Sequence, residues 1–297
     1  MSDIFWVFAG FSMLGYSIMS TLNAHYVRTI NDPFSSGFYR SFSLIFSLSP
    51  LLFLVDFSAV LPLSAWGWKM FGCAFFASLA QVFKFLALMI LPVGVQNAVT
   101  MSFNTIFVLT LSIVFLNEHI APITFFPIGV ILLGVVFLAL QKNKMDHLDY
   151  EKMGIGFLLT VSSSVVFAIS IVWLTQLIRA NDAVFMGYLW EVSIAIFAGI
   201  FLVIRKIHKP KTNLIKRINR KTFLRIFLVN AFTFLGTGGF ALATKMGPVS
   251  IVFTIGVAGL AVSTLLAHYL FREKLSVIQW VSIFTVMAGI SMVYLIT

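Results

Sequence analysis

Residues 85–93 read FLALMILPV, and residues 241–249 read ALATKMGPV. Each closes an apolar run that breaks at a proline and resumes at once in another apolar run. Two further matches follow in the same order. Leu116-Asn117-Glu118-His119-Ile120 and Phe271-Arg272-Glu273-Lys274-Leu275 both end a run with a glutamate, and Leu132-Leu133-Gly134-Val135-Val136 is answered by Met287-Ala288-Gly289-Ile290-Ser291. The separations between the three blocks agree to within one residue in the two halves. Apolar stretches often look alike, but a shared order and spacing marks an internal duplication.

Around these blocks the chain is apolar nearly throughout. Of its 297 residues 60% are hydrophobic and only 10% charged, with mean hydropathy +1.02, whereas a soluble domain carries about 25% charged residues. A globule of this length has no interior large enough to hide so much apolar sequence, so the solvent is lipid. A bilayer core about 30 Å thick takes roughly 20 apolar helical residues. Windows of that length fall at 4–24, 34–55, 66–90, 93–116, 120–140, 154–178, 183–204, 222–244, 249–270 and 276–296. The breaks between them are turn-like, as in Asn31-Asp32-Pro33, Asn181-Asp182 and Gly247-Pro248. Barrel-type alternation is absent, and only helices and closed barrels satisfy backbone groups in lipid. The expected fold is therefore an all-α membrane protein of ten transmembrane helices, arranged as two inverted five-helix repeats around a central cavity. Residues 1–140 form the first repeat, 141–153 a connecting loop, and 154–297 the second repeat. An odd number of spans per half makes the second half enter the membrane in the opposite sense, an arrangement typical of secondary transporters.

Two five-span units, each with a proline turn, a span, a Glu-containing turn and a final Gly-bearing span, resemble the EamA-type members of the drug/metabolite transporter superfamily. The resemblance covers nearly the whole chain. It implies a pseudo-twofold fold around a central cavity and transport of small polar compounds, amino acids and nucleotide-linked metabolites among them. For many relatives it also implies termini in the cytoplasm.

Charge sorts the loops differently. Of the 20 Lys and Arg, Lys69, Arg179 and Lys245 lie at one set of span ends and Arg40 and Lys84 lie inside spans. All the others follow odd-numbered spans. The positive-inside rule then places that set in the cytoplasm and both termini outside. The formal charge of +10 does not point to nucleic acid, because its densest stretch, Arg205–Arg225, is juxtamembrane and suits the anionic inner leaflet. The N-terminus has no Lys or Arg before its first apolar run and no small-residue cleavage pattern, so a signal peptide is not expected. The expected location is the bacterial inner (plasma) membrane, with multiple passes. The one cysteine, Cys73, sits in an apolar stretch.

Ionisable side chains in the hydrocarbon layer cost about 2.5–3.5 kcal/mol each at a helix centre on insertion scales. Few should lie there without a reason. Glu191 is about eight residues into its span, or roughly 12 Å deep at 1.5 Å per residue. It is a candidate for a protonatable coupling site, a seat for a cationic group, or a structural partner for Arg40, Lys84 or Lys245. Arg40 and Lys84 are candidates to grip a carboxylate or phosphate, Arg through its fork and Lys as a point charge; both side chains are also long enough to snorkel. Gln81 lies one helical turn before Lys84 and shares its face. Asn104, Asn230 and Ser162-Ser163-Ser164 add a polar lining or interhelical bonds. Trp190, with Trp173 and Tyr188, would shape a pocket for an apolar or quaternary ammonium moiety or simply pack. Gly236-Thr237-Gly238-Gly239, Gly256 and Gly259 let helices approach closely; they are no phosphate loop, since no strand precedes them and no Gly-Lys-Ser/Thr follows.

The expected function is secondary transport of a small polar metabolite, an amino acid or related zwitterion or anion, by alternating access. Arg40, Gln81, Lys84, Asn104, Trp190, Glu191 and Asn230 are the candidate substrate-binding residues, with a proton or an exchanged solute as coupling partner. No cofactor, metal or nucleotide is expected. An exporter of quaternary amines or drugs is the alternative within transport, although span 1 lacks the acidic residue that small multidrug exporters of that superfamily use. A non-transporting membrane scaffold is the third reading. An enzyme is not expected, because the five histidines are scattered and show no helical metal spacing.

Overall fold

A computed structural model describes residues 2–91, 93–139, 150–211, 213–271 and 276–296. Among these residues the chain is helical and contains no strand. The first half holds α1 (Asp3–Ile30), α2 (Pro33–Ser47), α3 (Leu63–Leu88), α4 (Val93–Leu116) and α5 (Phe125–Ala139). The second holds α6 (Tyr150–Ala180), α7 (Ala183–His208), α8 (Arg220–Ala231), α9 (Thr233–Met246), α10 (Val249–Val257), α11 (Gly259–Phe271) and α12 (Val277–Ile296).

Among the described residues eight segments are long and apolar enough to cross a membrane, against the ten expected. Two shorter apolar helices, Pro122–Gly134 and Trp280–Ile296, stand where the fifth and last spans were placed. The Arg272–Leu275 part of the second Glu-bearing block, residue 140 at the end of the expected first repeat, and residues 141–149 of the connecting loop lie outside the described residues. The expected continuous span at 34–55 is broken: α2 stops at Ser47 and a 3₁₀ turn, Ser49–Leu54, follows. Pro50 is the reason, since its missing N–H and its ring cannot continue an α-helix. Two further interruptions fall inside spans. Phe232 separates α8 from α9 and Ala258 separates α10 from α11, and at each the backbone N–H turns to a carbonyl three residues back, Val229 O and Ile255 O.

The two halves pack by exchange. α3 lies on α6 as α9 lies on α1, α4 lies on α6 as α10 and α11 lie on α1, and three pairs, α2 with α7, α4 with α10 and α5 with α12, join like to like. The α5–α12 seam shows this at atomic detail. A Cβ on Gly134 would meet Val286 Cγ2 at 2.8 Å and Ser282 O at 3.2 Å, while one on Gly289 would meet Ile131 Cγ1 at 2.5 Å and Pro127 O at 3.3 Å. The contacts are reciprocal, with Gly134, Ile131 and Pro127 in the places of Gly289, Val286 and Ser282. Such an isologous contact is the mark of a two-fold axis. On the outside, large apolar side chains such as Phe53, Leu158, Phe284 and Leu295 are exposed, as lipid rather than water requires.

The end where α1 and α6 finish differs in the two halves because the halves are inverted. The chain termini, the end of α6 and the start of α10 share one end, called here the terminal end. The ends of α1, α3 and α7 and the starts of α2 and α4 share the other, the basic end. There Arg205 pairs with Asp32 (2.5 Å) and donates to Asn213 O and Leu214 O, and the N–H of Lys216 donates to Ser35 Oγ. The Arg205–Arg225 stretch is thus folded back against the start of α2, with most of its basic residues exposed.

Candidate functional site

A cavity of about 200 Å³ lies between the halves, walled by α1, α2, α3, α4, α6, α7, α9 and α10. Its walls reach Val27, Leu88 and Asn97 at the basic end. Towards the terminal end they stop at Ser12, Thr105, Ile171 and Trp190, well inside their helices, and at Val252, one turn from the start of α10, so among the described residues the lining extends further towards the basic end on α1, α3 and α4. Most of the wall is apolar: Met13, Met19, Phe85, Met101, Phe167 and Phe253. An apolar concave surface carrying a few convergent polar groups is the usual form of a small-solute site.

The polar groups come from both halves. Arg40 of α2 and Glu191 of α7 sit at matching depths in the two halves, eight and nine residues after the aspartates that start these helices, Asp32 and Asp182. Arg40 Nη2 lies 3.8 Å from Glu191 Oε1, which is an ion pair but too long for a direct hydrogen bond. Its Nη1 donates to Gln81 Oε1 at 2.6 Å, and the Gln81 amide in turn donates to Gly37 O and Ser41 Oγ. Gln81 therefore aims the guanidinium. Thr237 of α9 donates to Glu191 Oε1 (3.3 Å), and its hydroxyl meets Tyr16 OH of α1 at 2.9 Å. One carboxylate oxygen is thus held by both an arginine and a hydroxyl chain. The other, Glu191 Oε2, is buried with no hydrogen-bond partner.

Two more groups are left free in the wall. Asn104 Oδ1 has no hydrogen-bond partner. Lys84, among the described residues, makes neither a hydrogen bond nor an ion pair, and the charge it interacts with is the like charge of Arg40. Arg40 and Glu191 offset each other, so among the described lining residues Lys84 is the basic group left without a counter-charge.

Six of the seven candidate residues, Arg40, Gln81, Lys84, Asn104, Trp190 and Glu191, therefore line this one cavity. Asn230 does not. Its amide is spent between helices: it accepts from Asn23 Nδ2 (2.7 Å) and donates to Ser43 Oγ (2.6 Å), and the residue is fully buried. Trp190 lines the wall while its indole N–H donates to Ser170 Oγ (3.3 Å). Of the serine run, Ser163 lines the cavity and Ser164 bonds to the α4 and α6 backbones. Trp173 packs against Trp68 and Phe76, and Tyr188 bonds to Ile45 O, both away from the cavity wall. Tyr16 and Asn23 were not singled out by the sequence, and Thr237 entered only as part of a glycine run. A hydroxyl or amide in an apolar helix carries no signal of which face it turns inward.

The profile of the EamA-like transporter family matches this chain twice, over residues 3–140 and 154–295. No curated protein matches it. A solved structure titled only as a crystal structure of a protein superposes with a TM-score of 0.70 at 16% identity, over 96% of either chain. At that identity the likeness speaks for the fold alone.

Proposed function

This chain belongs to the EamA-like transporter family, a premise that makes it a multi-pass membrane transporter of small solutes, and we propose that its solute is an amino acid or a similar zwitterion with an apolar body. The observation that carries this is a lysine and a carboxylate oxygen in one cavity, each without a hydrogen-bond partner among the described residues. Lys84 is a free cation, and Glu191 Oε2 is a free acceptor on a carboxylate held in place by Arg40 and Thr237. A solute carboxylate at Lys84 and an ammonium at Glu191 Oε2 would complete both, with the Asn104 amide at hand for a further hydrogen bond. The methionine and phenylalanine wall takes the apolar part. Arg40 differs from the sequence expectation of a basic pair, because its guanidinium is already engaged by Gln81 and Glu191. Lys84 is then the anion seat and Arg40 a positioning residue. The same reading sets Arg205–Arg225 against the anionic leaflet of a bacterial inner membrane, and a proton or a second solute drives exchange. Lys84 speaks against a quaternary amine, which would meet an uncompensated cation.

The test is a thermal-shift series on the purified protein with apolar amino acids, their decarboxylated amines and their deaminated acids. A ligand that binds only the folded form stabilises it by about 2.7 kcal/mol at a hundredfold excess over Kd. Amino acids should raise the melting temperature most, and Lys84→Met should abolish that rise while leaving the unliganded melting temperature unchanged or higher. Stabilisation by amines alone would transfer the assignment to amine export. No response to any of the three classes would remove the zwitterion reading.

A further inference from the structure

We infer that Glu118 and Arg179 bolt the terminal end of the carrier shut, and that release of the Glu118 carboxylate from the start of α10 is what opens the cavity to that side. The inference rests on the carrier reading above.

Glu118 follows the last turn of α4. Asn117 holds a left-handed backbone (φ 52°), a conformation Asn tolerates better than most residues, and the chain doubles back so that Glu118 N–H donates to Ser112 O at 3.3 Å. This carries the glutamate inward instead of into the turn, and its side chain is 4% exposed. Oε1 takes the Arg179 guanidinium from the end of α6 (2.5 Å) and the Val249 N–H (2.9 Å). Oε2 takes the N–H of Ser250 at 3.3 Å and its hydroxyl at 2.7 Å. A carboxylate on the free N–H groups of a helix start is favoured by both hydrogen bonding and the helix dipole. Arg179 also donates to Gly247 O (3.1 Å), and Lys245 Nζ reaches the carbonyls of Arg179 (2.9 Å) and Asn181 (2.8 Å). One side chain of the first half thereby gathers the ends of α6, α9 and α10 of the second.

The placement relative to the cavity makes this a closure and more than a staple. Val252, one turn along α10 from the capped end, is among the outermost residues of the cavity wall. At its other end α10 is separated from α11 at Ala258, and Gly256 just before that break lines the cavity with open space around its Cβ position. α10 is thus a nine-residue segment, clamped at its terminal-end start by the buried Glu118, lining the cavity at Val252, Phe253 and Gly256, and jointed below. Swinging it away from α4 and α6 opens the terminal end, and it cannot swing while the carboxylate holds it.

The experiment uses the full chain with Cys73, its one cysteine, replaced by alanine and a reporter introduced as Val252→Cys. A membrane-impermeant thiol reagent is applied in turn to each face of oriented membranes, without substrate. In the parent the reporter should react from the basic face. Glu118→Gln, which keeps the shape but loses the charge, should raise the rate from the terminal face at least about tenfold, the factor given by a 1.4 kcal/mol shift between two states. Arg179→Lys keeps the charge but loses the planar fork, and should give a smaller rise in the same direction; it also serves if Glu118→Gln does not fold. An unchanged terminal-face rate in whichever variant folds, even with a lowered melting temperature, would make the pair a static staple and overturn the inference. Labelling needs no solute, so a shift in a protein that binds none of the tested classes would cost the zwitterion assignment and leave the bolt. Transport without any shift would do the reverse.

Discussion

Glycine marks two opposite situations on adjoining helices. At Gly239 of α9 an added Cβ would lie 2.6 Å from Phe8 O and 2.8 Å from Ser12 N, both backbone atoms of α1 that cannot step aside. At Gly256 the same atom meets nothing within 4 Å. Gly239→Ala should therefore destabilise by about 1–3 kcal/mol, the range for forcing extra volume into a packed site. Gly256→Ala should be neutral or stabilising by up to about 1 kcal/mol through helix propensity, while narrowing the cavity. Thermal melting in detergent separates the two. The sequence shows both glycines as places where helices approach, and only Gly239 is one. Nor does it show that Glu118 is buried: in linear order it sits in a polar turn beside Asn117 and His119, and the signal was its recurrence, as the glutamate of a repeated block, at the same point of both halves. The Arg40–Glu191 encounter was legible as an option, since so few charges lie inside the spans. What was not legible is that the encounter leaves Lys84 as the free cation, because that depends on Gln81 taking the Arg40 fork.

Whole elements followed the breaks that chemistry announces. The Asn31-Asp32-Pro33 turn ends α1 in a left-handed Asn31 (φ 48°) and starts α2 with proline at its first position, which suits a residue that needs no N–H partner there. Asp182 starts α7 by accepting the Phe185 N–H at 2.8 Å, an ordinary N-cap. Breaks without such residues gave only an ambiguous signal. Gly256 and Gly259 flank Ala258, and Asn230 and Thr233 flank Phe232, but small residues let helices pack closely as readily as they let them bend, and an interruption inside a protein-lined interior is satisfied by neighbours. The left-handed turn at Asn117 offers a test at this scale. Asn117→Gly should keep stability within a few tenths of a kcal/mol, whereas Asn117→Val should lose about 1–2 kcal/mol to backbone strain. If the turn is what delivers Glu118 to α10, the valine variant should also raise terminal-face labelling of the Val252→Cys reporter, and the glycine variant should not.

At the scale of the molecule, the inverted duplication was the part most open to reading, since it needs only order and spacing. The direction in which the cavity faces was not, because it is decided by which end the bolt closes, and both ends carry similar turns. The halves meet through contacts spread over many helix pairs, and none of those described depends on residues 140–149. Residues 1–140 and 150–297 expressed as two separate chains should consequently associate, which retention of one by an affinity tag on the other would show. Failure to co-purify would mean that the connecting segment contributes more than a tether.

The α5–α12 seam carries a further consequence. Gly134 receives Val286 as Gly289 receives Ile131, so each five-helix unit bears both the knob and the socket of its own interface. A half-length chain needs no different partner to close that seam. It needs a second copy of itself, inserted the other way up.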